Sequence, residues 1–181
     1  MIATSCGAGR YGNLVAVLGK LDFKTRGKTL LKPNLVEGGL AATHSDAVRA
    51  VLDTIDIDTI AEGSSVNTSH LFESLGYKKI AQDYGVELLD INSTDEWEEI
   101  EFLSMDNDVF NVRISKYAKR DVISLTLPKT HDHAIVTLTL KNMHGFVHPG
   151  DKIKLHGYRS GAFVSKIMPL LRIKPVREIA R

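Results

Sequence analysis

The sequence predicts an α/β domain whose largely parallel sheet is flanked by helices and interrupted by a small acidic hairpin insertion. Three observations predict it. Short apolar runs alternate with amphipathic stretches through the first half of the chain, the strand–helix–strand order that right-handed crossovers need. No internal repeat, low-complexity tract or linker divides the chain, so residues 1–181 are expected to form one domain. Between Lys79 and Arg113 there is no Lys or Arg but there are ten acidic residues, and on this acidic side two strand-like runs, "WEEIEFLS" and "DVFNVRIS", are joined near "MDND".

The elements follow in order. "YGNLVAVLGKL" spaces Leu14, Val15, Val17, Leu18 and Leu21 as a helix does. "TLLKPNLV" is a short strand ending at Lys32, because proline holds the residue before it extended. In "THSDAVRAVLDTI", Thr43 and Asp46 stand in capping-box positions and Val48, Val51, Leu52 and Ile55 share a helical face. "IDTIAEGSS" is a second strand running into a turn of small residues. "SHLFESLGYKKIAQDYG" is helix, a break at Gly76, then helix again; "VELLDIN" is a third strand. After the acidic hairpin, "AKRDVISLTLP" supplies a buried strand stopped by Pro128. Later, Thr137, Leu138, Thr139 and Leu140 alternate before Lys141 and Asn142, and Gly145 then frees the backbone. The tail carries an apolar cluster from Phe163 to Leu171 broken by Pro169, with no closing element. The chain is therefore expected to be cut short at its C-terminus or to pack that tail on a partner.

Composition narrows function. Charged residues at 25% and apolar ones at 43% suit a soluble globular protein rather than a disordered one. A formal net charge of +1 offers no general attraction for nucleic acid or an anionic membrane. No apolar run approaches the roughly 20 residues of a spanning helix, and the N-terminus lacks the pattern of an export signal. The expected location is cytoplasmic. Cys6 is the single cysteine, which excludes an internal disulfide and a four-thiolate iron–sulfur cluster. No Walker or Rossmann fingerprint occurs, and "SMDNDVF" lacks the glycine and the glutamate of a calcium loop.

The chemistry is expected beyond the carboxyl ends of the parallel strands. Three such ends carry Lys32-Pro33-Asn34, Glu62-Gly63-Ser64-Ser65 and Lys129-Thr130-His131. The helix after Thr43 adds His44 and free N–H groups suited to an anion. Each piece also has an ordinary explanation: a Lys-Pro where the chain leaves the core, a plain turn at "EGSS", caps at Thr43 and Asp46. From Pro128 to Gly157 the chain holds five of its seven histidines and four lysines. His131 and His133, two apart, would share a strand face and could touch one metal with Asp132 or Glu62. Against this, Lys129, Lys141, Lys152 and Lys154 crowd the same segment, which suits an anion better than a cation. Anion binding ranks first, acid–base catalysis on that anion second, and metal third, with no metal ligand assigned. A plain solvated loop remains the ordinary alternative for His148 and His156.

The segments "LLKPNLV", "ATHSDAVRAVLD", "EGSS", "LPKTH" and "VTLTLKNMHG", with the later pair Lys154 and His156, together resemble the domain of unknown function 362 family over about residues 28–157. "KTH" followed by T-L-x-L-K-N-x-x-G is the specific part. The resemblance implies no settled reaction. Family members joined to ferredoxin-like cluster domains imply redox company for some of them, yet this chain has one cysteine and no cluster motif. It also stops before the glycine-rich acidic segment that tends to follow in the family. Carried over by position, the family's motif residues are Lys32, Asn34, Thr43, His44, Glu62, Lys129, His131, Lys141, Asn142 and His156.

The expected function is binding of a small anionic molecule in a crevice lined by lysine and histidine, with acid–base catalysis on it and with no identified cofactor. Lys32, Lys129 and Lys141 are expected to neutralise the anion, and Asn34 and Asn142 to orient it. His44, Ser64 and His156 complete the binding set. His131 is the candidate acid or base, with Glu62 its partner and Lys129 beside it. The alternatives are a non-catalytic accessory module for an iron–sulfur or redox partner protein, or a metal-dependent enzyme using His131, His133 and a carboxylate. Neither nucleic acid nor a membrane is expected as a partner; a homo-oligomer is left open.

Overall fold

A computed structural model describes residues 2–21, 25, 27–35, 39–103, 109–131 and 135–155, with the side chains of 102, 103, 131, 135, 136 and 155 excepted. Its centre is a four-stranded, all-parallel sheet in the order β3-β2-β1-β6. The strands are β1 (Thr29–Lys32), β2 (Thr59–Glu62), β3 (Glu87–Asp90) and β6 (Asp121–Ser124). All four residues of β1 and all four of β2 are buried, as befits inner strands covered on both faces.

Side chains alternate across β1, so Leu30 and Leu31 enter different cores. Leu31 and Ile60 pack with Val48 and Val51 of α2 (Ser45–Leu52), Leu71 and Phe72 of α3 (Thr68–Ser74), and Tyr77 and Ile80 of α4 (Tyr77–Tyr84). Leu14 and Leu18 of α1 (Gly9–Lys20) join that layer. On the opposite face Leu30, Ala61 and Leu89 meet Phe146, with Trp97, Ile114 and Met143 around them. Helices cover one face, and the hairpin with the segment after it covers the other. The break expected at Gly76 is present: its φ of +77° is a left-handed conformation that suits glycine, and it divides α3 from α4.

The acidic hairpin forms as expected, β4 (Trp97–Leu103) pairing antiparallel with β5 (Val109–Ser115), Glu99 opposite Arg113. Glu96 and Glu98 pair with Lys116 and Lys119 on the turn that follows β5.

Three local expectations need correction. The cap of α2 is His44, whose Nδ1 accepts from the Asp46 N–H, and not Thr43. The Thr43 hydroxyl is otherwise engaged: it accepts from the Asn34 N–H at 2.9 Å and donates to the Leu125 carbonyl at 2.8 Å, tying together the exits of β1 and β6. The strand expected to run to Pro128 ends at Ser124, one further ladder bond following as the Leu125 N–H donates to the Lys32 carbonyl. Lys129, read as the tail of that strand, instead opens a separate hairpin, β7 (Lys129–His131) against β8 (Ile135–Thr137). The alternation from Thr137 to Leu140 does not continue as extended chain, because α5 (Thr139–Met143) begins inside it.

The order of the strands locates the crevice. From β1 the chain steps outward to β2 and β3, then crosses back to lay β6 on the other side of β1. The connections diverge between β1 and β6, and such switch points are where open parallel sheets bind ligands, beyond the carboxyl ends of the strands.

Candidate functional site

Parallel strands bring their last residues to one edge, so Lys32 of β1, Glu62 of β2 and Ser124 of β6 stand side by side; Lys32 and Ser124 are register partners. Lys32 has no exposed surface. A lysine in that position needs a counter-charge and acceptors for its protons. It has them: Nζ donates to Glu62 Oε1 at 2.7 Å, to Asn142 Oδ1 at 3.3 Å and to the Pro33 carbonyl at 3.4 Å. Glu62 is equally occupied, its Oε1 also accepting from the Gly63 N–H at 2.7 Å and its Oε2 from the Leu35 N–H at 3.0 Å.

Asn142, from α5, closes the gap between β1 and β6. Its Nδ2 donates to the Lys32 carbonyl and to Ser124 Oγ, both at 3.0 Å, while its Oδ1 accepts from Lys32 Nζ and from Asn34 Nδ2. Two donors and two lone pairs are all used, which fixes the amide's orientation. Asn34 Oδ1 in turn accepts from Lys129 Nζ at 2.6 Å, and Lys129 also donates to the Ala41 carbonyl. The path Glu62–Lys32–Asn142–Asn34–Lys129 thus runs unbroken across the strand ends.

Two glycines permit this closeness. A Cβ on Gly145 would lie 2.6 Å from Lys32 Cε and Nζ, and one on Gly63 would lie 2.1 Å from the Gly145 carbonyl oxygen. No side chain fits at either place, so the segment after α5 sits directly on the end of β2.

Two further amines flank the network. Lys152, at the start of α6 (Lys152–Leu155), donates to the Gly63 carbonyl at 2.8 Å and to Asn92 Oδ1 at 3.0 Å. Burial pulls its pKa down, Glu62 opposes this and Lys32 adds to it, with the result brought to about 8. Lys141, next to Asn142 on α5, is lowered to about 8 by burial first and by the charge of Lys129 second. Among the described residues Lys141 has no hydrogen-bond or ion-pair partner.

The sequence-predicted residues divide accordingly. Lys32, Asn34, Glu62, Lys129 and Asn142 meet in one network, with Lys141 beside it. Ser64 is buried in the turn after β2, where its Oγ accepts from the Val66 N–H and its carbonyl from Asn92 Nδ2. His44 caps α2 and faces a cleft of about 270 Å³ shared with Arg10, Asn13, Thr43 and Leu125–Leu127, apart from the lysines. The backbone of His131 ends β7, while its side chain and the whole of His133 and His156 lie outside the described residues, as does the Phe163–Leu171 cluster. Among the described residues no three His, Cys, Asp or Glu side chains come together as a metal would require. Sequence reasoning missed Lys152 and Asn92 as site residues. Their partners lie 89 and 60 positions from Lys152, so no local spacing could have signalled them.

The family model described as a domain of unknown function, DUF362, matches residues 29–176, most of the chain. The chain belongs to the DUF362 family. The match takes in every strand from β1 onward and reaches past the 28–157 span suggested by the motifs. No curated protein and no solved structure matches the chain. All the residues of the strand-end network therefore lie inside the DUF362 region, and what they do has to be argued from their own geometry. Among the described residues, no helix is long and apolar enough to cross a membrane.

Proposed function

We propose that this DUF362 domain binds a small anion, a phosphate or a carboxylate, at the switch point beyond β1, β2 and β6. One observation carries the reading: the buried carboxylate at the strand ends, Glu62, is already matched by Lys32, while Lys129 and Lys152 reach the same strand ends through Asn34 and the Gly63 carbonyl and Lys141 lies beside Asn142. Burial holds two of these amines at about 8, so each would take its proton more readily beside an anion. Anion binding and protonation there favour each other.

In this reading Lys32 does not touch the ligand, since it is enclosed. It acts through Asn142, whose amide it fixes with Ser124, and Asn34 does the same for Lys129. Acid–base work on the bound anion falls to the amines held at about 8, and to His131, two residues along β7 from Lys129.

The test is thermal denaturation with phosphate, sulfate, nucleotides, simple carboxylates and divalent metals, on the wild type and on Lys129→Gln. At 100 times its dissociation constant a ligand adds roughly 2.7 kcal/mol of stability. Stabilisation by an anion that is lost in Lys129→Gln is the expected outcome. Stabilisation by metals alone, or an anion effect untouched by the substitution, would overturn the reading.

A further inference from the structure

Helix α1 precedes the region matched by the DUF362 family, and none of its residues is buried. It leans on the helical layer through Leu14 and Leu18 without closing it. Between α1, α2 and the chain leaving β6 lies the cleft of about 270 Å³. Much of its wall is apolar: Leu14 and Val17 from α1, Ala47 from α2, and Leu125 and Leu127 after β6. Its polar groups are donors. The Thr43 hydroxyl is already spent between Asn34 and Leu125. Asn13 Oδ1 accepts from the Ser5 hydroxyl at 3.1 Å and from the Ala8 N–H at 3.2 Å, which leaves Nδ2 as the donor to offer. His44 Nδ1 faces its own helix, accepting from the Asp46 N–H at 3.2 Å with Asp46 Oδ2 3.4 Å away. In the neutral ring the proton therefore sits on Nε2. Among the described residues Arg10 meets no carboxylate, and none of those lining the cleft is acidic. Donors and one positive charge beside an apolar wall call for a ligand of the opposite make-up.

We propose that this cleft is a second ligand site, and that it takes a small carboxylate with a hydrocarbon body, such as a medium-chain fatty acid. The Arg10 guanidinium, a planar fork matched to a carboxylate, pairs with the charged end, and Asn13 Nδ2 and His44 Nε2 donate to it. The hydrocarbon lies along Leu14, Val17 and Leu127. A space of about 270 Å³ equals that of roughly nine water molecules, enough for a chain of about eight carbons and too little for a long-chain acid. Inorganic phosphate gains nothing from the apolar wall. The site has its own cation and does not rest on the anion reading of the strand ends.

The experiment is calorimetric titration of the full chain with octanoate, octanol and octylamine. Octanoate should bind, with the neutral and cationic chains about tenfold weaker or more, the range for hydrogen bonds to a charged group. Arg10→Gln, a change at an exposed position, should weaken octanoate about tenfold. Ala47→Leu, at a half-buried position, should fill the cleft and abolish binding. Lys129→Gln and added phosphate should leave octanoate binding unchanged. No binding of octanoate, equal binding of octanol, or full affinity in Arg10→Gln would overturn the proposal. Binding lost in Lys129→Gln but kept in Arg10→Gln would put the carboxylate in the strand-end network and overturn the cleft as its site. Should Ala47→Leu fail to fold, Arg10→Gln decides the matter.

Discussion

Asp151 and Glu62 are both enclosed carboxylates, with 5% and 4% of their side chains exposed, and both are met by lysine. Around Asp151 the cluster closes on itself. Arg113 donates through Nε at 2.7 Å and through its N–H at 3.1 Å, and Lys154 contributes at 2.8 Å, each cation keeping more than two fifths of its side chain in solvent. Burial alone would raise the Asp151 carboxyl; the hydrogen bonds from Arg113 and Lys154 reverse this and hold it well below the usual carboxylate range. This cluster clasps β5 to the segment before α6, beside the bridge from Ile114 to Val147. Around Glu62 the matching cation, Lys32, is sealed away, and the amine that remains over, Lys141, is drawn partly out of water with no described acceptor. The same residue types make a fastening in one place and an unsatisfied site in the other. What separates them is whether the cations keep their access to solvent.

Removing the carboxylate of Glu62 is the strongest way to break this contrast. Glu62→Ala leaves the Lys32 ammonium buried and without its counter-charge, and is expected to lose about 3–5 kcal/mol in urea denaturation. A loss of about 1 kcal/mol or less, that of an exposed pair, would mean that Lys32 finds water or another anion and that the network is not closed.

A smaller effect sharpens the other half. Asp151→Asn should lose about 1.5–3 kcal/mol at pH 7, the range for hydrogen bonds to a charged group. Because the folded-state pKa of Asp151 is depressed, its stabilisation is present above the unfolded value near 3.9 and is lost as pH falls toward the folded one. Wild type and variant should therefore converge below about pH 4 in acid titration. A difference that persists unchanged to pH 2 would refute the clasp.

The smallest effect has the opposite sign. Lys141 also has a depressed folded-state pKa, but for a lysine this means that the folded chain resists the charge. Below about 8 the penalty is fully present, and it disappears as pH rises toward the unfolded value near 10.4. Lys141→Met should be more stable than wild type at pH 7, the gap narrowing above pH 8 by at most about 1.4 kcal/mol per pH unit. A gap that does not change with pH would show that Lys141 reaches solvent or a partner after all.

Much of this architecture was legible locally. The runs at Thr29–Lys32, Thr59–Glu62 and Glu87–Asp90 are strands, the break at Gly76 is where a left-handed residue was needed, and the two hairpin strands pair as predicted. Strand-end reasoning also found Lys32, Asn34, Glu62, Lys129 and Asn142, because residues at the ends of parallel strands share an edge once their directions are known. It erred where a side chain had a distant competitor. Thr43 looked like a cap only because the Leu125 carbonyl, 82 positions away, was out of view. It was silent on Asn92, and gave Lys152 no assigned role beyond the general crowding of lysines, for the same reason.

The sequence by itself determined the order of strands and helices, the pairing of the acidic hairpin and the supply of lysines to one end of the sheet. These follow from periodicity, glycine and proline, which act within a few residues. Only the tertiary structure decided that Lys32 is spent on Glu62, that Gly63 and Gly145 must be bare for the chain to close over that pair, and that Lys141 has no partner among the described residues. A sequence counts donors, whereas the distance to each acceptor and the loss of water around it exist only once remote segments are packed together.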